Sequence, residues 1–184
     1  MPAETLHAIL LRRIRFSDSS LIVSWFSQER GKLKTVAKGA LRTKSGFAGK
    51  LDLFFQCELT VDWSRRSELH SLRETVLIHP FAGIRRNYPN TLAAGYFAEL
   101  VEETTEPEHP EAAIYELLVR AFLYLQERPV TARAVHFFEH ELARNLGLEG
   151  KAPDQAADHL LHSLQRSRVT RANLLRLLRQ QSDS

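Results

Sequence analysis

Apolar and polar residues alternate with a period close to two from residue 5 to about residue 79. The run from Leu53 to Val61 shows this best. Leu53, Phe55, Cys57, Leu59 and Val61 fall on one side and Phe54, Gln56, Glu58 and Thr60 on the other, as in a strand with one buried and one mostly wet face. Runs of similar texture at residues 7–15, 21–27, 32–38 and 68–78 are separated by turn formers at 17–20, 29–31 and 64–67, which predicts five short strands in about 75 residues. Closing so small a sheet removes its edges, so the pattern predicts a five-stranded OB-type barrel, with an SH3-like barrel as the alternative.

After Pro80 the period lengthens to that of a helix. Residues 93–103, 111–128, 132–145, 154–165 and 171–180 predict helices, and Ile114, Leu117, Leu118, Ala121, Phe122 and Leu125 form one apolar stripe. Pro89, Pro110, Pro129 and Pro153 stand at element starts or in connections, Thr131 and Thr170 can cap helices, and Gly147 can end one. The chain reads as α+β, with an OB-type barrel over residues 1–80 and an all-α helical domain over 81–184.

Charge sharpens this picture. Between Glu29 and Asp52 lie Arg30, Lys32, Lys34, Lys38, Arg42, Lys44 and Lys50, with no carboxylate among them. The net charge is only +3, but residues 1–82 hold 13 Lys/Arg against 8 Asp/Glu, and the remainder hold 12 against 14. Alternation puts Lys32, Lys34 and Lys38 on one strand face with Val36, and Leu33, Thr35 and Ala37 on the other. With Arg42, Lys44 and Lys50 in the Gly/Ser/Lys stretch that follows, and Arg12 and Arg13 on the first strand, this reads as a strand and mobile loop offered to a phosphate backbone. A solvated loop is the bland reading of the same run. Trp25, Phe26, Phe54, Phe47 and Trp63 could stack on bases, but barrel aromatics are usually core, which leaves Phe47 in SGFAGK as the stacking candidate.

In the second half, Glu99, Glu102, Glu103, Glu106, Glu108, Glu111 and Glu116 follow one another without a base, an acidic surface expected to face solvent or a basic partner. Near the end Arg166, Arg168, Arg171, Arg176 and Arg179 alternate with leucines, a stripe that extends the nucleic-acid path, takes an acidic peptide, or keeps the last helix soluble. A single cysteine, Cys57, excludes an intrachain disulfide and a cysteine-cluster zinc site and suits a reducing cytosol. MPAETLHAILLRR places its charges after a short apolar run, the reverse of a secretory signal, and nothing approaches the roughly 20 apolar residues that span a bilayer. A soluble, cytoplasmic protein without membrane partners is expected.

The stretch FSQERGKLKTVAKGALRTKSGFAGKLDLF, with AILLRRIRFSDSSLIVSWF before it and FFEHELARNLGL in the helical part, resembles the RecO family of recombination mediator proteins. The likeness is strongest over residues 5–82, most specific from Arg30 to Gly49, and extends faintly to Leu148. It implies an OB domain joined to a helical domain, binding and annealing of single- and double-stranded DNA, and loading of RecA together with RecR and single-strand binding protein. It also implies a place in DNA repair and recombination through the RecFOR pathway, at the nucleoid. The residues that carry over are Lys32, Lys34, Lys38, Arg42 and Lys44.

Two departures concern the C-terminal half. Many members insert a four-cysteine zinc module after the helix corresponding to residues 136–146, whereas here Gly147-Leu148-Glu149-Gly150 runs into APDQAADHLLHSL, so no zinc is expected. The chain is also shorter than is usual for the family, so partnership with RecR and single-strand binding protein is a weaker expectation than DNA binding.

Enzyme patterns are sparse. His136-Phe137-Phe138-Glu139-His140 matches H-x-x-E-H, the inverted zinc-protease pattern, yet it lacks a third ligand and its phenylalanines mark a packed helix. His159 and His162 have no acid at useful spacing. No Gly-rich phosphate loop, nucleophile elbow or paired carboxylates appear, so the chain is expected to act by binding, without catalysis or cofactor. The alternatives are a sequence-independent OB-fold RNA-binding factor and, further off, a metallohydrolase using His136, Glu139 and His140.

Overall fold

A computed structural model of the chain describes residues 3–148, 160–162 and 164–182. It divides into two compact units.

The first unit is a closed barrel of β1 (Glu4–Arg15), β2 (Leu21–Ser27), β3 (Gly31–Ala37), β4 (Gln56–Asp62) and β5 (Leu69–His79), in the order β1-β2-β3-β5-β4. β3 and β5 run parallel from Lys34↔Leu69 to Val36↔Ser71, and every other neighbouring pair is antiparallel. This is the OB-type barrel that the period-two pattern predicts, closed so that no long edge is left to pair. Leu6, Ala8, Leu10, Val23, Trp25, Leu33, Cys57, Leu59, Val61 and Leu72 fill its interior. Trp25 is wholly buried, and its indole Nε1–H donates to Thr35 Oγ1 at 2.9 Å, so it is core and not a stacking platform. Phe26 is buried with it.

The fourth strand starts later than the alternation suggests. Phe54 takes φ 72°, and its N–H donates to the Leu10 carbonyl at 2.9 Å while Leu10 N–H donates to the Phe55 carbonyl at 2.9 Å. That left-handed residue breaks the period, so Phe54 is buried where the pattern put Phe55, and Leu53 turns outward.

A segment far along the chain, Thr105–Tyr115, belongs to the same unit. Glu108 N–H donates to the Lys32 carbonyl at 2.8 Å, beside a parallel bridge between Lys32 and Pro107. Gly31, at φ 63°, is required here: a Cβ would lie 1.8 Å from the His109 carbonyl oxygen. Gln56 Nε2 donates to Tyr115 Oη at 3.1 Å.

The second unit, Ala82–Thr104 with the chain from Glu116 onward, is helical. The described helices are α1 (Tyr88–Thr104), α2 (Ala112–Glu127), α3 (Ala132–Asn145) and α4 (Gln165–Ser182), preceded by a 3-10 turn at Ala82–Arg86. α1 begins before the expected residue 93 because Pro89, lacking an N–H, is well suited to a first helical turn. Thr131 caps α3, accepting the Ala134 N–H at 3.2 Å. Leu117, Leu118, Phe122 and Leu125 of the apolar stripe are buried. The expected helix over 154–165 lies mostly outside the described residues. No described helix is long and apolar enough to cross a membrane.

Candidate nucleic-acid interface

A bulge in β1 between Leu10 and Arg12 inserts one residue and so exchanges the inward and outward positions along the strand. Before it Leu6, Ala8 and Leu10 point inward; beyond it Arg12 and Ile14 point outward. Cross-strand register then builds the outer face in rows. Arg12 pairs with Ser24 and Ser24 with Lys34; Ile14 pairs with Ile22 and Ile22 with Val36. A third row continues at the strand ends, where Phe16 N–H donates to the Ser20 carbonyl at 3.0 Å and Gly39 N–H to Ser20 Oγ at 3.3 Å, next to Lys38. The expected parity of β3 holds: Leu33, Thr35 and Ala37 are buried, while Lys32, Lys34 and Val36 occupy the outer side.

The cations of the acid-free run do not share one fate. Lys34, Lys38, Arg42 and Lys44 are exposed and form no ion pair among the described residues, and Lys50 is half-buried. Lys32 departs from the expected trio of projecting lysines, because its Nζ donates to the Thr105 carbonyl at 2.5 Å. Arg30 binds Glu4 through Nε at 3.1 Å and Nη2 at 3.0 Å, and lies 5.4 Å over the Trp63 ring. On β1, Arg12 is exposed, but Arg13 donates to the Leu51 carbonyl at 2.6 Å and pairs with Asp52 at 3.0 Å.

The stretch after β3, expected as a mobile loop, is a succession of tight turns. Arg42, Ser45, Ala48 and Lys50 each donate a backbone N–H to the carbonyl three residues back, at 3.0 to 3.2 Å, and Leu41 N–H donates to the Ser19 carbonyl at 2.9 Å. Phe47 is half-buried against the barrel core and lines a 240 Å³ pocket with Arg13, Leu41, Leu51, Asp52 and Phe55. Only part of its ring is left for stacking.

Glu29, the acid that opens the run, is turned away from it. Burial pushes its carboxyl pKa up, but hydrogen bonds from the His7 ring and backbone N–H and from Ser27 outweigh that and hold it below its ordinary value. Phe16 and, in the β4–β5 loop, Arg65 and Arg66 are also exposed, and they lie outside the acid-free run, in loops of the kind that flank an OB binding face. The Arg-Arg dipeptide among turn formers was the available signal.

Comparison with known proteins fits this barrel. Residues 1–81 match the family model "Recombination protein O N terminal", and residues 85–149 match "Recombination protein O C terminal". The chain belongs to the RecO family. A DNA repair protein RecO of Syntrophus aciditrophicus is 33% identical over 144 residues, 78% of this chain and 54% of that protein. One of Desulfatibacillum aliphaticivorans is 32% identical over 154 residues, 83% of this chain and 59% of that protein. One of Salinibacter ruber is 34% identical over 114 residues, 62% of this chain and 44% of that protein. The chain thus spans little more than half the length of the first two RecO relatives.

The RecO C-terminal match contains HFFEH, and here the metal reading fails on geometry. Glu139 is wholly buried and accepts Tyr96 Oη at 2.7 Å, Arg171 Nε at 2.7 Å and Arg171 Nη2 at 3.0 Å. His136 is exposed, and His140 Nδ1 lies 3.5 Å from Glu141 instead. Among the described residues no three His, Cys, Asp or Glu side chains could hold a metal. His162 is exposed, and His159 lies outside the described residues.

The acidic stretch of this RecO chain is also not simply a solvent-facing surface. Glu99 is buried and accepts Thr170 Oγ1 at 2.9 Å, Glu103 accepts Ser167 Oγ at 2.7 Å, and in the barrel unit Glu108 meets His70 Nε2 at 2.9 Å. Of the arginine stripe, Arg171 is drawn inward by Glu139, while Arg168, Arg176 and Arg179 are exposed and the Arg166 side chain lies outside the description. An apolar pocket of 310 Å³ in the helical unit is lined by Phe97, Leu117, Tyr124, Phe137 and Phe138, with Arg120 and Arg133 also on its wall.

Proposed function

We propose that the chain acts as a RecO-type recombination mediator in DNA repair, and that the β1–β2–β3 face and the turns that follow β3 are where it holds DNA. The observation that carries this reading is the row Arg12–Ser24–Lys34 on the outer face of the barrel, followed by Lys38, Arg42 and Lys44 in the turns after β3, all four of these cations and Arg12 exposed and none paired with a carboxylate among the described residues. Cations so placed neutralise phosphates and release counterions, a sequence-independent attraction to single and double strands alike.

The activity is binding, with no catalytic step and no cofactor. Phosphate neutralisation lets two complementary strands lie close enough to anneal, and lets a strand coated with single-strand binding protein be handed, together with RecR, to RecA. The setting is the cytoplasm at the nucleoid. The apolar pocket flanked by Arg120 and Arg133 is a suitable place for a protein partner to anchor.

The test is fluorescence anisotropy of a labelled single-stranded oligonucleotide at several salt concentrations, with Lys34→Glu/Lys38→Glu/Arg42→Glu beside the wild type. The wild type should bind with a clear negative salt slope, and the folded triple variant should lose most of its affinity. Equal binding by the two proteins, or binding by neither, refutes the assignment. Tighter competition by unlabelled RNA than by DNA of the same sequence would redirect it to RNA.

A further inference from the structure

We infer that the site is built for an unpaired strand, with Phe16 as the ring on which a base stacks and Ile14, Ile22 and Val36 as the apolar strip beside it. This rests on the DNA-binding reading above and adds to it the form of DNA preferred. Phe16 is 58% exposed and Ile14 44%, while Ile22 and Val36 are half-buried. Fully burying one such side chain is worth roughly 1.5–3 kcal/mol, so this much apolar surface left in water on a strand face marks a place where something docks.

The surroundings say what docks there. The strip lies between the row that ends in Lys34 and the row that ends in Lys38, with Arg12 at the other end of the first row. Lys34 and Lys38 are four residues apart, so their side chains are separated along the strand by about 13 Å, with the Ile14–Ile22–Val36 row between them. A second copy of the chain laid on this face would set cation against cation. A single strand suits it, because its phosphates can run along the lysines while its splayed bases turn toward the apolar row and the aromatic ring.

A duplex keeps its bases stacked inside and offers this face only phosphates. It would gain from Lys34, Lys38 and Arg12 but nothing from Phe16. The ring therefore sets the preference for single over double strands, and the cations set the common affinity. Phe47, half-buried against the core, offers less of its ring for this.

The experiment compares wild type, Phe16→Ala, Phe16→Trp and Lys34→Glu/Lys38→Glu on a labelled single strand and on the matching duplex. Phe16 is exposed at a turn, so its variants should fold, which circular dichroism checks. Phe16→Ala should weaken single-strand binding roughly fivefold to a hundredfold, as loss of one stacked base implies, and change duplex binding by less than about twofold. Its salt slope should equal that of the wild type, because no phosphate contact is removed. Phe16→Trp should restore binding and gain emission that a single strand quenches. If Phe16→Ala lowers both affinities equally, or neither, while Lys34→Glu/Lys38→Glu lowers both, the stacking inference is overturned and the DNA-binding reading stands. If the lysine reversal changes nothing, both are overturned.

Discussion

Lys32 and Lys34 are two residues apart on one strand face and indistinguishable by charge, yet the structure gives them different work. Lys32 Nζ is spent on the Thr105 carbonyl, while Lys34 is exposed and free of any ion pair among the described residues. Each phosphate neutralised on a single strand contributes about 0.7 to the slope of log affinity against log salt. Lys34→Ala should therefore make the slope shallower by about 0.7 and, at 0.1 M salt, weaken binding by roughly fivefold. Lys32→Ala should leave the slope unchanged within error. Its loss is a charge-assisted hydrogen bond on a half-buried group, about 1–2 kcal/mol, which lowers the melting temperature of a chain this size by roughly 2–8 °C. Anisotropy titration at four salt concentrations reads the first effect and a thermal melt followed by circular dichroism reads the second. Equal slope changes in the two variants would refute the division of labour, as would a Lys34→Ala slope identical to that of the wild type.

Two further outcomes test other parts of the structure. Arg171→Met leaves the buried Glu139 carboxylate, among the described residues, with Tyr96 alone to bond it and should cost about 3–5 kcal/mol in urea unfolding, whereas pairing it with Glu139→Leu should recover much of that; no loss in the single variant would contradict the packing of α4. The folded-state pKa of Glu29 lies below its ordinary 4.5, so near and below that pH the unfolded chain binds the extra proton and stability falls as pH falls. Glu29→Gln should flatten that acid limb in melts taken from pH 5 to pH 3, and an unchanged limb would refute the assignment.

The parts of the fold legible in the sequence were those fixed by short-range pattern. Strand-like texture placed β2, and strict alternation placed β3 and most of β4 and put Lys34 and Val36 outward because Leu33, Thr35 and Ala37 had to be inside. What escaped depends on contacts distant in sequence or on a single unusual residue. Lys32 looks like its neighbours until Thr105 arrives from 73 positions away. Phe54 breaks its strand through one left-handed φ, which the composition of LDLFFQC does not announce. The β1 bulge reverses which arginine faces out, so Arg12 belongs to the surface row while Arg13 reaches the Leu51 carbonyl. HFFEH carried the right letters for a metal, but burial gave its carboxylate to Arg171. Phe16 was hidden by a different cause, for an exposed aromatic at a turn has no period to betray it.

The barrel is discontinuous along the chain, and this has a consequence for its synthesis. Ribosomes deliver the five strands first, but the residues that hold the Lys32 end of β3, Thr105 to His109, come only after all of α1 has been made. Until then the Lys32 carbonyl and the Gly31 notch have no partner from that segment, and the nascent barrel is incomplete although every strand is present. A fragment cut at residue 81, where the period of the sequence changes, would preserve that unfinished state permanently. One carried through Tyr115 would include the missing piece.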